Sequence, residues 1–213
     1  TTSVGRIFDG RLSYAKGAMV LHTLRWICGD SAFFAGVRNY LHAPGLAYGY
    51  AYTQDLQFYL EQASGKDLDG FFADWYVGEG FPSYQLNWSQ DDFKHVIVNL
   101  GQQQSHPSVP FFELPVPIRF SNAGQDTIVV LQHEFNGQSF EFDLNFAATE
   151  VTLDPDLWLI SKNNTVQQVS NTKETVLPGL RFRLLPNPAH GHFSAALDAD
   201  APQDATMMLT DAG

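Results

Sequence analysis

The chain has 213 residues, 44% of them hydrophobic and 14% aromatic, with 12 Lys plus Arg against 23 Asp plus Glu, a formal charge of −11. That length suits one large domain or two small ones, and the apolar content excludes disorder along the whole chain. The acidic balance argues against a nucleic-acid partner, no apolar run reaches the roughly 18 residues of a membrane span, and a single cysteine, Cys28, leaves no intrachain disulfide.

In chain order, Thr1-Thr2-Ser3-Val4-Gly5 has no basic stretch followed by an apolar one, so no signal peptide is read there, and the chain is expected to be a piece of a longer protein. Ser13 is placed as the cap of a helix over residues 14–28, apolar on most faces and stopped by Gly29. Asp30 opens a second helix that ends near His42, Thr53 a third that ends at Gly65, and Asp67 a fourth that closes near Gly78. After Phe81-Pro82 the apolar period drops to two. Tyr84, Leu86 and Trp88 alternate, and residues 94–100 follow as a second strand. Phe112, Leu114, Val116, Ile118 and Phe120 alternate with Pro115 and Pro117, which predicts an edge or bulged strand. Asn136-Gly137 predicts a hairpin between residues 127–135 and 138–147. Residues 151–153 and 157–160 read as strands flanking Asp154-Pro155-Asp156. The result is an α+β multidomain chain. A short α-helical layer spans 1–82, an antiparallel β-sandwich 83–165, a polar linker 166–180, and a partial second β (Ig-like) module 181–213. Residues 1–82 hold 6 basic and 8 acidic residues and residues 83–213 hold 6 and 15, so most of the excess acidity lies in the β half.

No metal ligand is assigned. Of the seven histidines (His22, His42, His95, His106, His133, His190, His192) none forms a helical i, i+4 pair. His133-Glu134 sits in a strand, His190 and His192 read as a solvated loop, and one cysteine cannot build a thiolate zinc site. Cys28 reads as a buried, inert thiol. There is no Gly-x-Ser-x-Gly elbow and no phosphate loop. Tyr14 at a helix start places a phenol where it can donate to a developing oxyanion, against the plainer reading of a core-edge tyrosine. Gly17 in the first turn costs about 1 kcal/mol relative to Ala, which suggests a close backbone approach or a group needing room beside that helix.

Ser13-Tyr14-Ala15-Lys16-Gly17-Ala18-Met19-Val20-Leu21-His22-Thr23-Leu24-Arg25 resembles the tyrosine motif (Tyr-x-Lys-Gly-Ala) of the aminopeptidase N family of zinc metallopeptidases. Gly29-Asp30-Ser31-Ala32-Phe33-Phe34, Asn39-Tyr40-Leu41, Thr53-Gln54-Asp55-Leu56, Glu61 to Leu68, Phe71-Phe72-Ala73-Asp74-Trp75 and Gly80-Phe81-Pro82 follow that family in order. The likeness is good over residues 6–88 and weaker through the β half, including Leu153-Asp154-Pro155. It implies the end of a thermolysin-like (gluzincin) catalytic domain followed by a β-sandwich. It carries over one catalytic residue, Tyr14, which in the family stabilises the tetrahedral intermediate of peptide hydrolysis; Lys16 and Gly17 match with packing or supporting roles. Zinc belongs to the parent, on a His-Glu-x-x-His helix and a downstream Glu that would precede residue 1. No cofactor or metal residue is expected in this chain, and it is expected to be inactive alone. The implied partners are a peptide substrate, through the parent, and the upstream part of its own catalytic domain.

Leu185-Pro186-Asn187-Pro188-Ala189-His190-Gly191-His192-Phe193, with Leu209 to Gly213, is similar to the opening of the C-terminal sorting domain of bacterial type IX secretion. It implies a truncated sorting domain, a secretion-machinery partner and a secreted or cell-surface protein. The alternatives are a non-catalytic interaction or peptide-binding module on a peptidase-like scaffold, a generic Ig-like end module, or a sandwich that binds sugars through Trp88 and Trp158.

Overall fold

Apolar residues at helical spacing build the first part of unit Thr1–Asn171, one of two units in the chain, the other being Thr172–Gly213. The computed structural model describes residues 3–169 in full and the backbone of residues 180–185 and 194–199. The helices are α1 (Val4–Ile7), a π-helical turn Gly10–Ala15 that runs into α2 (Lys16–Cys28), α3 (Asp30–His42), α4 (Thr53–Ser64) and α5 (Asp69–Phe72), which ends in a second π turn, Ala73–Val77. Gly29 at φ 78° and Gly65 at φ 68° stop α2 and α4 in backbone conformations open to glycine. The Arg25 guanidinium donates to both Asp30 carboxylate oxygens at 2.8 and 2.6 Å, closing the α2–α3 joint. Asp55 accepts the Tyr52 backbone N–H at 2.7 Å and so caps α4. A Cβ on Gly36 would lie 2.9 Å from the Tyr59 carbonyl oxygen, so α3 and α4 pack with their backbones close.

Seven strands follow, β1 (Pro82–Gln90), β2 (His95–Gln104), β3 (Leu114–Ser121), β4 (Asp126–His133), β5 (Gln138–Asp143), β6 (Glu150–Leu153) and β7 (Thr165–Gln168). They form two sheets, ordered β5-β2-β1-β7 and β4-β3-β6. The inner faces bury Tyr84, Leu86 and Trp88 of β1, Val96, Val98 and Leu100 of β2, and Leu114, Val116, Ile118 and Phe120 of β3. The Phe120 ring meets Trp88 edge-on at 6.1 Å and Phe142 at 5.5 Å, knitting the two sheets together. The observed fold is thus helices followed by two packed sheets. In the second unit β8 (Leu180–Leu185) and β9 (Ser194–Ala199) pair antiparallel. The Pro-Asn-Pro segment, His190, His192 and residues 207–213 lie outside the described residues.

Four expectations change. Asn136-Gly137 reverses the chain, with Gly137 at φ 75°, but joins β4 of one sheet to β5 of the other. Its polar groups bond to β2 instead of across a hairpin. Asn136 Oδ1 accepts the Gln102 N–H at 2.7 Å, and the Gly137 N–H donates to the Leu100 carbonyl at 3.0 Å. β3 is central, not an edge, but β6 pairs only with residues 118–121. Pro115 and Pro117 fall in the half without that partner, so no ladder donor is lost. Their carbonyls there accept the Trp26 indole N–H at 2.8 Å and the Asp154 N–H at 2.8 Å. Residues 157–160 form a tight loop: Leu157 has φ 57°, and the buried Asp154 carboxylate accepts the Trp158 and Leu159 N–H groups. The polar run from residue 166 begins inside β7, which pairs with β1 in parallel as an edge strand exposed on both faces. Such a strand has no buried face, so its sequence carries no apolar alternation.

The helical layer docks on the sandwich through the second half of α2. Thr23 Oγ1 donates to the Trp158 carbonyl at 2.8 Å, and the His22 and Trp26 rings stack on Trp158 at 4.5 and 5.4 Å. Trp75, 2% exposed, packs its ring 4.5 Å from Phe112 and 6.2 Å from Phe71. Trp88 is 3% exposed. Both indoles proposed as sugar platforms are therefore committed to packing, since a stacked sugar needs a free face.

Candidate active site

Tyr14 lies on the π turn, not at the start of an α-helix as the spacing had suggested. The cap is Asp9: its Oδ1 accepts the Arg11 N–H at 3.0 Å and the Leu12 N–H at 2.7 Å. Ser13, the expected cap, is instead inside the turn, where its N–H donates to the Asp9 carbonyl at 2.9 Å and its hydroxyl to the Arg6 carbonyl at 3.4 Å. The Lys16 N–H then reaches back five residues to the Arg11 carbonyl, which defines the wide turn. Asp is among the best N-cap residues, and Asp9 stands just before this helix. That signal was readable, but the nearer Ser13 masked it.

The Tyr14 side chain is 61% exposed, and its phenol has no hydrogen-bond partner among the described residues. Gly17, Ala18 and Leu21 follow it at three, four and seven residues, in the first turns of α2. A Cβ at Gly17 would meet nothing within 4 Å. Within the described residues no close packing requires this glycine, and the space a Cβ would take is open. Gly17→Ala is therefore expected to stabilise this chain by up to about 1 kcal/mol, read as a raised urea midpoint. A destabilised Gly17→Ala chain would show that the space is filled. Val4, Ile7, Phe8, Leu12 and Leu21 are also exposed, so among the described residues the first turns present apolar side chains at the surface.

The described residues do not fit a catalytic zinc. His22 stacks on Trp158, His42 bonds the Arg38 carbonyl, His95 meets Asp143 and Glu141, His106 meets Ser108, and buried His133 bonds the Leu100 carbonyl across the sheets. Each is engaged separately. Glu61, Asp67 and Asp69 bring carboxylate oxygens within 4.8 Å of one another, but with no imidazole or thiolate. Those oxygens already accept local donors: Glu61 takes the Leu68 N–H at 3.0 Å and Asp67 the Asp69 N–H at 2.9 Å, while the Gln57 amide donates to Asp69 at 2.6 Å. Burial pushes the Cys28 thiol up, outweighing the opposing pull of Ser64 and Lys66. Asp74, which sequence reasoning did not single out, sits in the second π turn. Burial first, and then the Glu113 carboxylate, push its carboxyl up to about 6.

Among the described residues no helix is long and apolar enough to cross a membrane. Residues 1–75 match the family described as the Peptidase family M1 domain. Aminopeptidase N of Lactococcus lactis subsp. lactis is 35% identical over 79 residues, 37% of this chain and 9% of that protein. Aminopeptidase N of Streptomyces lividans is 35% identical over 103 residues, 48% of this chain and 12% of that protein. The alanine/arginine aminopeptidase of Saccharomyces cerevisiae is 27% identical over 144 residues, 66% of this chain and 16% of that protein. The chain thus spans only 9% to 16% of the length of these curated relatives. The stretch that carries Tyr14 and the helical layer is similar to the M1 peptidase domain, and the relatives it matches are aminopeptidases.

Proposed function

We propose that this chain is the C-terminal part of an exported zinc aminopeptidase that removes N-terminal residues from peptides. The observation that carries the reading is the Tyr14 phenol, exposed and unpaired on a capped turn within the M1-like stretch. In this role the phenol donates a hydrogen bond to the oxygen of the scissile carbonyl as negative charge develops on it. A phenol already bound to a protein acceptor would first have to release it, and Tyr14 carries no such cost. The zinc ligands and the residues that grip the substrate amine are assigned to the part of the protein before residue 1. That same part covers the apolar side chains of Val4, Phe8, Leu12 and Leu21. The β half is a sandwich packed on the catalytic domain. The C-terminal residues open a sorting domain that delivers the protein, through a type IX secretion machinery, to the cell surface or medium. The acidic excess of the β half keeps such a protein soluble.

The test is an assay of the longer protein for release of N-terminal residues from unblocked peptides, with and without a chelator. Chelator-sensitive release from free but not acetylated N-termini is expected. A longer protein that binds peptides without cleaving them would replace this reading with the non-catalytic module.

A further inference from the structure

We propose that Asp9 is a positioning residue for Tyr14, holding the π turn that aims the phenol. The inference rests on the proposed role of Tyr14. It adds a residue that acts only through the backbone.

A π turn is rare because each hydrogen bond spans five residues and closes a wider, poorly filled ring. Such turns persist where the surroundings fix them, and they recur at functional sites. Here little of the fixing comes from packing: residues 3–8 and 10–15 are all exposed, with Asp9 half-buried among them. The start of the turn is anchored by hydrogen bonds that converge on Asp9. Its Oδ1 accepts the N–H groups of Arg11 and Leu12, and its carbonyl accepts the N–H of Ser13. Three consecutive donors ahead of Tyr14 thus end on one residue. The Ser13 hydroxyl ties the turn back to the Arg6 carbonyl at 3.4 Å.

The Leu12 N–H donates to Asp9 Oδ1 at 2.7 Å, the length of a charge-assisted bond to a carboxylate, which is stronger than a neutral one. The wide turn also changes where Tyr14 points. An extra residue in the ring shifts the phase of every side chain before Lys16 relative to α2. Relaxing the turn to ordinary α geometry would carry the phenol round the helix. An oxyanion donor is useful only within about 0.3 Å of its working distance, so that rotation removes it. Neither Arg6 nor Arg11 has an ion pair with Asp9 at salt-bridge distance among the described residues, so the carboxylate serves the backbone.

The experiment has two parts. In this 213-residue chain, amide exchange at Arg11 and Leu12 reports the turn directly. Asp9→Ala is expected to speed exchange at both amides, while Asp9→Asn, which keeps the acceptor oxygen, leaves it near the native rate. In the longer peptidase, Asp9→Ala is expected to lower kcat roughly tenfold with KM within about twofold. Asp9→Asn restores most of it. In a Tyr14→Phe background, Asp9→Ala then has no further effect on kcat, because the group it positions is gone. An Asp9→Ala loss that multiplies with that of Tyr14→Phe, or unchanged kcat in Asp9→Ala, overturns the inference and leaves the role of Tyr14 standing. Native kcat in Tyr14→Phe itself sinks the role of Tyr14 and the inference with it. Should Asp9→Ala not fold, Asp9→Glu, whose longer arm displaces the acceptor, takes its place in both parts.

Discussion

If the proposed function holds, Tyr14→Phe in the longer protein is expected to lower kcat by roughly 10²–10³-fold, the loss typical of one oxyanion donor. The same variant is expected to leave folding unchanged. The phenol oxygen has no partner in the described structure, and the side chain is 61% exposed, so removing it breaks no internal hydrogen bond and opens no cavity. Catalytic loss without structural loss separates this role from that of a core-edge tyrosine. Turnover on a peptide amide and the thermal midpoint of the same preparation measure both sides. A variant with native turnover would remove Tyr14 from the reaction. A variant with a depressed midpoint and proportionately less active protein would return it to a structural role.

The largest effect on stability is expected at Trp75. Its ring is 2% exposed and lies between Phe71, at the end of the helical layer, and Phe112, just before β3. Phe112 is itself fully buried, and Gln102 fixes the backbone on either side of it, donating to the Phe112 carbonyl at 3.0 Å and accepting its N–H at 2.8 Å. Trp75→Ala removes an indole from a site whose walls are held by backbone hydrogen bonds and cannot collapse inward. The expected loss is about 3–5 kcal/mol, as for other buried aromatic truncations. Because Trp75 joins the helices to the sandwich, the loss is expected to appear in both. Urea unfolding followed by far-ultraviolet dichroism for the helices, and by amide exchange of β1 and β2 for the sandwich, reads the two layers. A loss below about 1 kcal/mol would show that the layers are held together elsewhere, chiefly at Trp158.

The two sites differ in how legible they were. Tyr14 stood out because a phenol, a lysine and a glycine in one short run resemble a family motif, and such a motif is local. Asp9 was missed because two capping residues lie within five positions, and propensity cannot rank them. The choice between them depends on which residue's side chain reaches the free N–H groups of the first turn, which no periodicity of apolar side chains reveals in an exposed segment. Cys28, expected to be buried, is half-buried and packs against the core beside its apolar helix neighbours Ile27 and Trp26.

By itself the sequence determined the helices α2 to α4, their glycine stops and the alternation of the inner strand faces. Each of these is decided within a few residues, by backbone conformation at Gly29 and Gly65 or by the two-residue period of β1, β2 and β3. Only the tertiary structure decided partners. It sent β4 and β5 to different sheets although Asn136-Gly137 turns the chain between them, because both ends of that turn bond to β2. It let β3 take a central place by leaving its two prolines beside the half that β6 does not reach. It made a strand of the polar residues 165–168, whose bonds run through the backbone and leave no mark on side-chain pattern. Local conformation is written in neighbouring residues, whereas strand pairing depends on backbone groups that every residue carries alike.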